Sequence, residues 1–405
     1  MEDTARFDVD VAIIGGGVAG LWTLNRLCRA GYNAVLLESR ALGSGQTMAS
    51  QGMIHGGMKY TLSGALTGAS EAIADMPDHW RRCLRGEGDV DLRRAEILSD
   101  HFYMWSTASI TSRLGGFLAS KTLRGRVDKV SRRDLPDLLK HPGFKGTVYR
   151  LADVVMDTPS VVRALAENMS GRIFKIDWPS VSLNTDSEGH TRLQYQDSQY
   201  PFTLAARAWV FSAGRGNQDL LDAVGATRPT MQLRPLKQVM VRHNLPYSFF
   251  GHCLGAETTP RLTISSHPMG NGSQVWYLGG SLAEKGVDQD DETLIGRARG
   301  ELTALMPWLD LKTADWAVLP VERAEPRQQN LSRPDNAFAD WVCREEGATD
   351  CIVAWPTKLT LSPNLAQIVM ARLDERNIRP GGGPAPAIQL PAPEVAPTPW
   401  ETAFA

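Results

Sequence analysis

The segment from residue 9 to residue 38 constrains the fold of this 405-residue chain more than any other. An apolar run at residues 9–14 leads directly into Gly-Gly-Gly-Val-Ala-Gly at residues 15–20. Residues 21–30 have helical spacing, and a second apolar run at residues 34–37 ends on an acid. Strand, glycine turn, helix, strand and acid, in this order, predict a βαβ unit that binds a dinucleotide. An unliganded α/β turn is the alternative.

Each glycine has a separate task in such a unit. Gly15 permits the tight turn, Gly17 lets the backbone approach a pyrophosphate, and Gly20 lets the helix pack closely on the strand. The pyrophosphate then meets free N–H groups at the positive end of the helix, where Val18 and Ala19 stand. All five residues are therefore predicted to contact the cofactor.

Glu38 and the segment after it indicate which dinucleotide is bound. A carboxylate at this place accepts hydrogen bonds from adenosine ribose hydroxyls and repels a 2′-phosphate, which disfavours NADP. Residues 39–60 are rich in small and hydroxyl side chains and show little helical or strand spacing. A long loop facing the ligand suits FAD, because its flavin extends far beyond the pyrophosphate. The predicted FAD contacts in this loop are Ser39, Arg40, Ser44, Gln46, Thr47, Ser50, Gln51 and Gly52.

Two segments resemble flavoproteins of one class. Residues 44–60, which contain the run His-Gly-Gly-Met-Lys-Tyr, resemble the flavin loop of FAD-dependent glycerol-3-phosphate dehydrogenases. Those enzymes belong to the wider D-amino-acid oxidase class. Residues 209–214 resemble the strand that returns to the cofactor in this class. The resemblance implies that Ala213 and Gly214, at the end of that strand, contact FAD.

A third segment resembles the second flavin motif of the same family, Gly-Gly-Lys-Leu-Thr. Lys358, Leu359 and Thr360 match it, whereas Pro356 and Thr357 stand in place of the two glycines. The resemblance implies that the matching residues bind the flavin and that the following helix points its positive end at the flavin pyrimidine ring. A solvent-facing role is the alternative for the lysine.

Local signals predict the starts of two helices. Ser362 is a suitable N-cap with Pro363 in the first turn. Asp157 or Thr158 is a suitable cap for a helix whose first turn contains Pro159, after a turn at residues 154–156.

The resemblance implies an α/β fold: a Rossmann-type FAD-binding domain with a parallel sheet, and a second, α+β substrate domain built on a mostly antiparallel sheet. The predicted boundaries are residues 1–86, 150–228 and 325–378 for the FAD-binding domain, and residues 87–149 and 229–324 for the substrate domain. Residues 379–405 are rich in proline and glycine and predict a tail. This tail is either a disordered end or an extended arm anchored by Trp400 and Phe404.

Three further residues are predicted to serve catalysis or substrate binding. The resemblance puts His55 in the loop that passes the isoalloxazine ring, where it contacts ring or substrate, attaches FAD covalently, or has a structural role only. The closer likeness to glycerol-3-phosphate dehydrogenases favours FAD held without a covalent bond. Lys59 stands where that family has a phosphate-binding arginine. Arg323 lies near the place where members of that family have an anion-binding arginine. An ion pair with Glu322 or Glu325 is the alternative role for Arg323.

Composition disfavours several classes of protein. The 43 basic and 45 acidic residues nearly balance, so no global field attracts nucleic acid. The five cysteines are an odd number without CxxC spacing, which argues against a disulfide framework and a zinc site and for cytosolic thiols. The cofactor strand begins too early to leave room for a signal peptide, and no apolar run reaches about 20 residues. A cytoplasmic protein is predicted, with peripheral membrane contact still open.

The sequence contains no second Gly-x-Gly-x-x-Gly unit with strand and helix context, so electrons are expected from an organic substrate rather than from NAD(P)H. The prediction is an FAD-dependent oxidoreductase, a dehydrogenase or oxidase, that transfers a hydride from a small anionic amine, amino acid or hydroxy acid to flavin N5. One alternative is glycerol-3-phosphate dehydrogenase-like activity. The other is a flavoprotein that acts on a macromolecule or through a partner, docked on the basic stretch 113–133 or on the tail.

Overall fold

The computed structural model describes residues 5–57, 73–108, 127–197, 199–257, 259–331 and 333–405. Its helices are α1 (Val18–Arg29), α2 (Met76–Leu84), α3 (Thr158–Glu167), α4 (Asn217–Ala223), α5 (Ser281–Glu284), α6 (Asp291–Leu305), α7 (Ser362–Glu375) and α8 (Pro399–Ala403). Within the described ranges, none of them combines the length and apolar character needed to cross a membrane.

The strands form three sheets. Those of the first sheet are β1 (Ala5–Ile14), β2 (Ala34–Glu38), β9 (Ile173–Lys175), β10 (Val181–Thr185), β11 (Thr191–Tyr195), β12 (Phe202–Phe211), β18 (Phe338–Arg344) and β19 (Gly347–Trp355). Those of the second are β5 (Phe102–Ser106), β6 (Val127–Lys129), β7 (Thr147–Leu151), β13 (Met231–His243), β14 (Gly251–Cys253), β15 (Leu262–Pro268), β16 (Gln274–Gly279) and β17 (Asp315–Pro326). The small third sheet contains β3 (Met53–Ile54), β4 (Ile97–Ser99) and β8 (Val154–Met156).

Strand β1 lies inside the first sheet, parallel to β2 on one side and to β12 on the other. β9 extends the sheet in parallel beyond β2, and β19 runs parallel to the end of β12. Val11, Ala12 and Ile13 are fully buried, because apolar clusters cover both faces of the sheet. The carboxyl ends of β1, β2, β9 and β12 therefore meet at one edge, which is where such sheets bind ligands.

The second sheet is antiparallel except where β14 runs parallel to β5. Its two faces differ because side chains alternate along each strand. Leu262 and Ile264 pack on one side in the apolar cluster that includes helix α6. Thr263, Ser265 and His267 point to the other side, and all three are buried despite being polar. Hydrogen bonds within the sheet satisfy much of this face, since Thr263 pairs with His252 on β14 and Ser265 pairs with His267.

The sheets provide a physical basis for the two-domain division, which we retain as a proposal. All strands of the first sheet lie in residues 5–38, 173–211 and 338–355, and all strands of the second in residues 102–151 and 231–326. Two of the proposed boundaries, at 149/150 and 324/325, fall inside strands β7 and β17.

Two local predictions were wrong. Residues 154–156 form strand β8 rather than a turn, because they pair with β3 and β4, which no local pattern could show. Ser362 is the first residue of α7 rather than its N-cap. A 3₁₀ turn at residues 359–361 precedes it, and the Ser362 hydroxyl donates to the Leu359 carbonyl at 2.8 Å. Asp157 does cap α3, accepting a hydrogen bond from Ser160 N at 2.9 Å.

Residues 379–405 form an extended arm, so the disordered alternative was wrong. The arm crosses the first sheet, where Pro391 O accepts from Lys175 N at 2.7 Å. It then pairs with the loop after β2: Leu42 N donates to Glu394 O at 2.8 Å, and Ala396 N donates to Leu42 O at 3.0 Å. Proline removes backbone donors but leaves every carbonyl free to accept, so a proline-rich segment is ordered wherever other strands supply donors.

The arm ends in helix α8, which packs on the polar face of the second sheet. Thr398 and Glu401 form a capping box at its start. Trp400 is buried and stacks on His267, with ring centroids 4.2 Å apart. Burial lowers the pKa of His267 to about 3. The Ser265 hydroxyl, 3.0 Å from His267 Nε2, is its hydrogen-bond partner.

We predict that His267 makes the protein less stable in mild acid. Its folded pKa lies below the unfolded value near 6.5, so the unfolded chain takes up the proton first as the pH falls and the free energy of unfolding decreases between pH 6.5 and pH 3. From pH 7 to pH 5 this loss should be about 2 kcal/mol. Urea unfolding at both pH values should show a smaller pH dependence in His267→Gln than in the unmodified chain. An equal pH dependence in His267→Gln and in the unmodified chain would disprove the assignment.

Candidate functional site

The three predicted glycines of the turn after β1 differ in what surrounds them. Gly15 has φ +113°, and an added Cβ would lie 2.6 Å from Ala213 Cα. A Cβ on Gly20 would overlap the carbonyl oxygen of Gly15. Packing therefore excludes any other residue at both positions. A Cβ on Gly17, by contrast, would have only one described atom within 4 Å, Thr47 Oγ1 at 3.2 Å. The turn leaves room next to Gly17, where a pyrophosphate is expected.

Helix α1 begins next to this space. Val18 N donates to Thr47 Oγ1 at 3.1 Å, and the N–H groups of Ala19 and Gly20 belong to the first turn, which has no intrahelical acceptors. The first turn contains no acidic residue, and the basic residues Arg26 and Arg29 stand in the last turn. The positive end of the helix dipole therefore remains available to an anion.

Glu38 ends β2 at the same edge of the sheet. Its Oε2 accepts from Gly16 N at 2.6 Å and its Oε1 from Arg40 N at 2.7 Å, so two backbone groups fix the carboxylate. Glu38 is the register partner of Lys175 on β9. Ser39, the next residue, lines a surface cavity. The carboxylate is held where the ribose of a bound dinucleotide would meet it.

The predicted flavin loop joins the two large sheets. Gln46 Oε1 accepts from Ala324 N on edge strand β17 at 3.0 Å. Gln51 Nε2 donates to Tyr277 O at 2.8 Å and to Ser265 Oγ at 3.3 Å. The loop thus supplies partners to the buried polar face of the second sheet. The other predicted contacts on this loop are Ser44, Thr47, Ser50 and Gly52.

The structure brings the two predicted flavin motifs together. His55 N donates to the hydroxyl of Thr360 at 3.2 Å, and this hydroxyl donates to Met53 O at 3.3 Å. His55 and Thr360 are both buried. Leu359 opens the 3₁₀ turn that precedes α7. The start of α7 therefore points at the loop that contains His55.

Thr357, which replaces a family glycine, keeps a glycine-like conformation. Its φ is +61°, in the left-handed region that β-branched residues rarely adopt. Its hydroxyl donates to Asn336 O at 3.1 Å, which helps to hold it there. Thr357 thus holds a backbone conformation that glycine adopts readily.

Ala213 and Gly214 follow β12 at the edge where the parallel strands end. Gly214 has φ +60°, and Ala213 packs against Gly15 of the first turn. Ala213 N donates to Asn217 Oδ1 at 2.8 Å. The fully buried Asn217 in turn donates to Ala354 O on β19 at 3.2 Å. Sequence analysis did not predict a role for Asn217, because nothing in the sequence distinguishes it from other residues that begin a helix.

Basic side chains gather where β13 and β17 approach the second flavin motif. Arg323 faces Arg234 across the two strands and donates to Arg234 O at 3.2 Å and to Pro235 O at 3.0 Å. Burial, with the positive charges of Arg234 and Arg333, lowers the pKa of Arg323 to about 10. Lys358 Nζ donates to the Asp335 carbonyl at 2.7 Å.

Sequence analysis left an ion pair with Glu322 or Glu325 as the alternative role of Arg323. In the described part of the chain, neither carboxylate forms this pair. Glu325 is buried and accepts two hydrogen bonds from Arg234, at 2.7 and 3.0 Å. Glu322 pairs with Arg215 on the surface. Burial and then Arg333 lower the pKa of Lys358 to about 8. Positive charge is concentrated here, and an anion bound nearby would stabilise it.

Some predicted residues lie outside the described ranges. Lys59 belongs to residues 58–72, and most of the basic stretch 113–133 belongs to residues 109–126. Of the basic residues that are described there, Arg132 donates to Phe144 O at 3.2 Å and Arg133 pairs with Asp134.

His252 and Thr263 were not predicted, although they lie on the same polar face as Ser265. Their side chains are buried and 2.8 Å apart, from His252 Nδ1 to Thr263 Oγ1. A signal was present in the sequence: the segment 262–267, Leu-Thr-Ile-Ser-Ser-His, places polar residues at alternate positions. Such a face is usually solvent-exposed, so only the tertiary structure reveals that it is buried.

A second polar cluster joins helices α1 and α2. Asp89 Oδ1 accepts from His79 at 2.7 Å and from the Cys83 thiol at 3.2 Å, while Oδ2 accepts from Trp22 Nε1 at 3.2 Å. Burial would raise the pKa of Asp89, but these hydrogen bonds outweigh it and lower the pKa to about 2. Arg26 Nε lies 3.4 Å from the carboxylate. The residue types could bind a metal, but protein donors already satisfy this carboxylate.

Comparison with known proteins identifies the family. A family model for FAD-dependent oxidoreductases, abbreviated DAO, matches residues 10–346. The chain belongs to this family. A probable FAD-dependent oxidoreductase of Pseudomonas aeruginosa is 47% identical over 397 residues, which is 98% of each chain. In structure-based alignment, the crystal structure of the Pseudomonas FAD-dependent oxidoreductase covers 100% of both chains at 42% identity, with a TM-score of 0.83.

More distant DAO-family structures share the fold. Glycine oxidase from Geobacillus kaustophilus aligns with 92% of this chain and 95% of its own at 18% identity, with a TM-score of 0.61. L-α-glycerophosphate oxidase from Mycoplasma pneumoniae, crystallised with FAD bound, aligns with 91% of this chain and 95% of its own at 14% identity, also with a TM-score of 0.61. The protein is thus an FAD-dependent oxidoreductase, and the open space beside Gly17 fits its cofactor.

We predict that Gly17→Val abolishes FAD binding. The branched side chain would occupy the space beside Gly17 where the pyrophosphate is expected. The fold itself should tolerate it, because the Thr47 hydroxyl is the one described neighbour within 4 Å. Affinity for FAD should fall at least about 100-fold, equivalent to about 2.7 kcal/mol. Titration of FAD into the apoprotein measures the change. Gly296→Ala, at a helix position with nothing within 4 Å, serves as control; a folded Gly17→Val protein with full FAD would refute the assignment.

Proposed function

We propose that this FAD-dependent oxidoreductase oxidises a C–H bond next to a nitrogen or hydroxyl in a small anionic substrate. The observation that carries the proposal is the concentration of positive charge around Arg323 and Lys358. Both residues lie where the flavin loop and the second flavin motif meet the second sheet. Bound FAD would supply the two-electron chemistry, and the chain's own residues would position the substrate.

The proposed FAD contacts extend along one edge of the first sheet. The turn at Gly15, Gly17 and Gly20, with the first turn of α1, would hold the pyrophosphate, and Glu38 the ribose. The loop from Ser44 to Gly52 and the segment from Lys358 to Thr360 would hold the flavin. The first-turn N–H groups of α7 would stabilise negative charge that develops on the pyrimidine ring.

The charge balance supports an anionic substrate. Arg234 is matched by the buried carboxylate of Glu325 in a bidentate pair, whereas the hydrogen bonds of Arg323 to described residues go to backbone carbonyls, which carry no full negative charge. A carboxylate or phosphate nearby would raise the lowered pKa values of Arg323 and Lys358 back towards their ordinary range. Lys59 is proposed to add a further positive charge from the flavin loop.

The names of the structural neighbours support the same substrate class. Glycine oxidase and L-α-glycerophosphate oxidase are named for small substrates that carry a carboxylate or a phosphate. For an amine substrate, binding of the free amine makes a strong protein base unnecessary. For a hydroxy acid a base is needed, and His55, buried between the two flavin motifs, is the proposed one. Glycerol 3-phosphate itself is less favoured, because Lys59 replaces the family's arginine.

We predict that FAD is held without a covalent bond. Acid precipitation should leave the yellow colour in the supernatant, because unfolding releases a non-covalent cofactor. The measurement is the flavin absorbance of supernatant and pellet for the unmodified chain and for His55→Ala. Colour that stays in the pellet, and that disappears from it in His55→Ala, would make His55 the attachment point.

We also predict that Arg323→Met and Lys59→Met weaken substrate binding more than they slow flavin reduction. A charged hydrogen bond contributes about 1.5 to 3 kcal/mol, so each loss should raise the half-saturating concentration about 10- to 150-fold. Stopped-flow reduction with a panel of amino acids, hydroxy acids and glycerol 3-phosphate measures both quantities. Arg299→Met, on helix α6 behind the second sheet, is the matched control. Unchanged saturation in both variants, or a preferred substrate without an anionic group, would rule the proposal out.

A further inference from the structure

The C-terminal arm lines a cavity at the end of the first sheet. The cavity has a volume of about 330 Å³, within the range of small-molecule sites, which starts near 300 Å³. Ser39 and Lys175 line it from the sheet, and Gln389, Leu390 and Pro391 line it from the arm. The arm, which has neither helix nor strand structure at this place, thus forms one wall of the cavity. The carboxyl edge of the parallel strands forms the other wall.

The position of this cavity relates it to the adenosine part of FAD. Ser39 directly follows Glu38, and Lys175 is the register partner of Glu38 on β9. If Glu38 binds the ribose, as proposed above, the adenine must lie close to the Glu38 carboxylate, because it is attached to the same ribose. The cavity is next to it and is also lined by the exposed aromatic ring of Tyr200, against which a purine can pack.

The arm is fastened on both sides of Glu38. On the β9 side, Lys175 N donates to Pro391 O at 2.7 Å. On the loop side, Leu42 exchanges two backbone hydrogen bonds with the arm, at 2.8 and 3.0 Å. The Leu42 side chain also covers Gly16, since a Cβ on that glycine would lie 2.6 Å from Leu42 Cδ2. The arm therefore holds the segment that carries the ribose-binding carboxylate.

The far end of the arm reaches the flavin end of the site. Trp400 stacks on His267, which hydrogen-bonds to Ser265, and Ser265 accepts from Gln51 of the flavin loop at 3.3 Å. Upstream, Ile388 is buried in the apolar cluster on one face of the first sheet. The arm is thus anchored before and after the cavity and contacts elements at both ends of the FAD site.

We propose that the C-terminal arm closes the adenosine end of the FAD site, with the adenine ring held between the edge of the first sheet and residues 389–391. This inference rests on the proposed placement of the ribose at Glu38. Because the arm and FAD then share a site, docking of the arm and binding of FAD stabilise each other by the same factor. Release of the arm opens the route by which FAD enters and leaves.

The first experiment measures FAD and ADP affinity of the apoprotein by titration and competition. A chain that ends at Pro380 should bind both ligands at least 100-fold more weakly, and Leu390→Ala should weaken both about 3- to 10-fold. FMN, which lacks the adenosine, should bind Leu390→Ala and the unmodified chain equally well. Leu311→Ala, at a partly buried leucine beside helix α6, is the matched control and should change none of the three affinities.

The second experiment measures hydrogen exchange in the full-length chain, so it does not depend on how the shortened chain folds. FAD and ADP should each slow exchange of the Leu42, Lys175 and Ala396 amides, which bond to or belong to the arm, and FMN should not. Equal FAD and ADP affinity in Leu390→Ala and the unmodified chain, together with unchanged exchange on ADP binding, would overturn the inference while leaving the proposed function intact. Failure of the unmodified chain to bind FAD would instead overturn the cofactor assignment itself.

Discussion

The close packing of helix α1 against β1 and β12 is the constraint on which the rest of the structure depends. Gly15 and Gly20 face each other, and Ala213 lies against Gly15, so no side chain fits at the crossing. This contact sets the direction of α1, and with it the direction of its positive end. β1 and β12 pair in parallel as far as Ile14 and Phe211, so the turns that follow them meet at the carboxyl edge of the sheet.

The second constraint is the buried polar face of the second sheet. Thr263, Ser265 and His267 would each cost free energy if they were buried without partners. Thr263 is paired with His252, and His267 with Ser265, while Gln51 of the flavin loop donates to Ser265 and Trp400 of the arm stacks on His267. Polar contacts of the flavin loop and apolar contacts of Trp400 with Met240, Val275 and Tyr277 together join these parts of the chain to the second sheet. The same contacts fix the register of the loop relative to the sheet.

Charge follows the same arrangement. Arg323 and Arg234 stand directly opposite each other on neighbouring strands, a pairing that is unfavourable without compensation. The bidentate pair with Glu325 compensates Arg234, while the half-buried Arg323 donates to backbone carbonyls. The strand pair is therefore destabilised by its own charges in a way that an anionic ligand would relieve.

The sequence by itself determined the βαβ unit, because the glycine spacing, the apolar runs and Glu38 are local features that all predict this same unit. It also indicated FAD and the family, which the comparisons confirmed, through the loop after Glu38 and the Lys358–Thr360 motif. Only the tertiary structure decided what the isolated patterns left open. β8 forms by pairing with distant strands, and Asn217 and His252 acquire their partners across the fold. The proline-rich end is ordered because Lys175 and Leu42, far away in the chain, supply the hydrogen bonds that its own composition cannot provide.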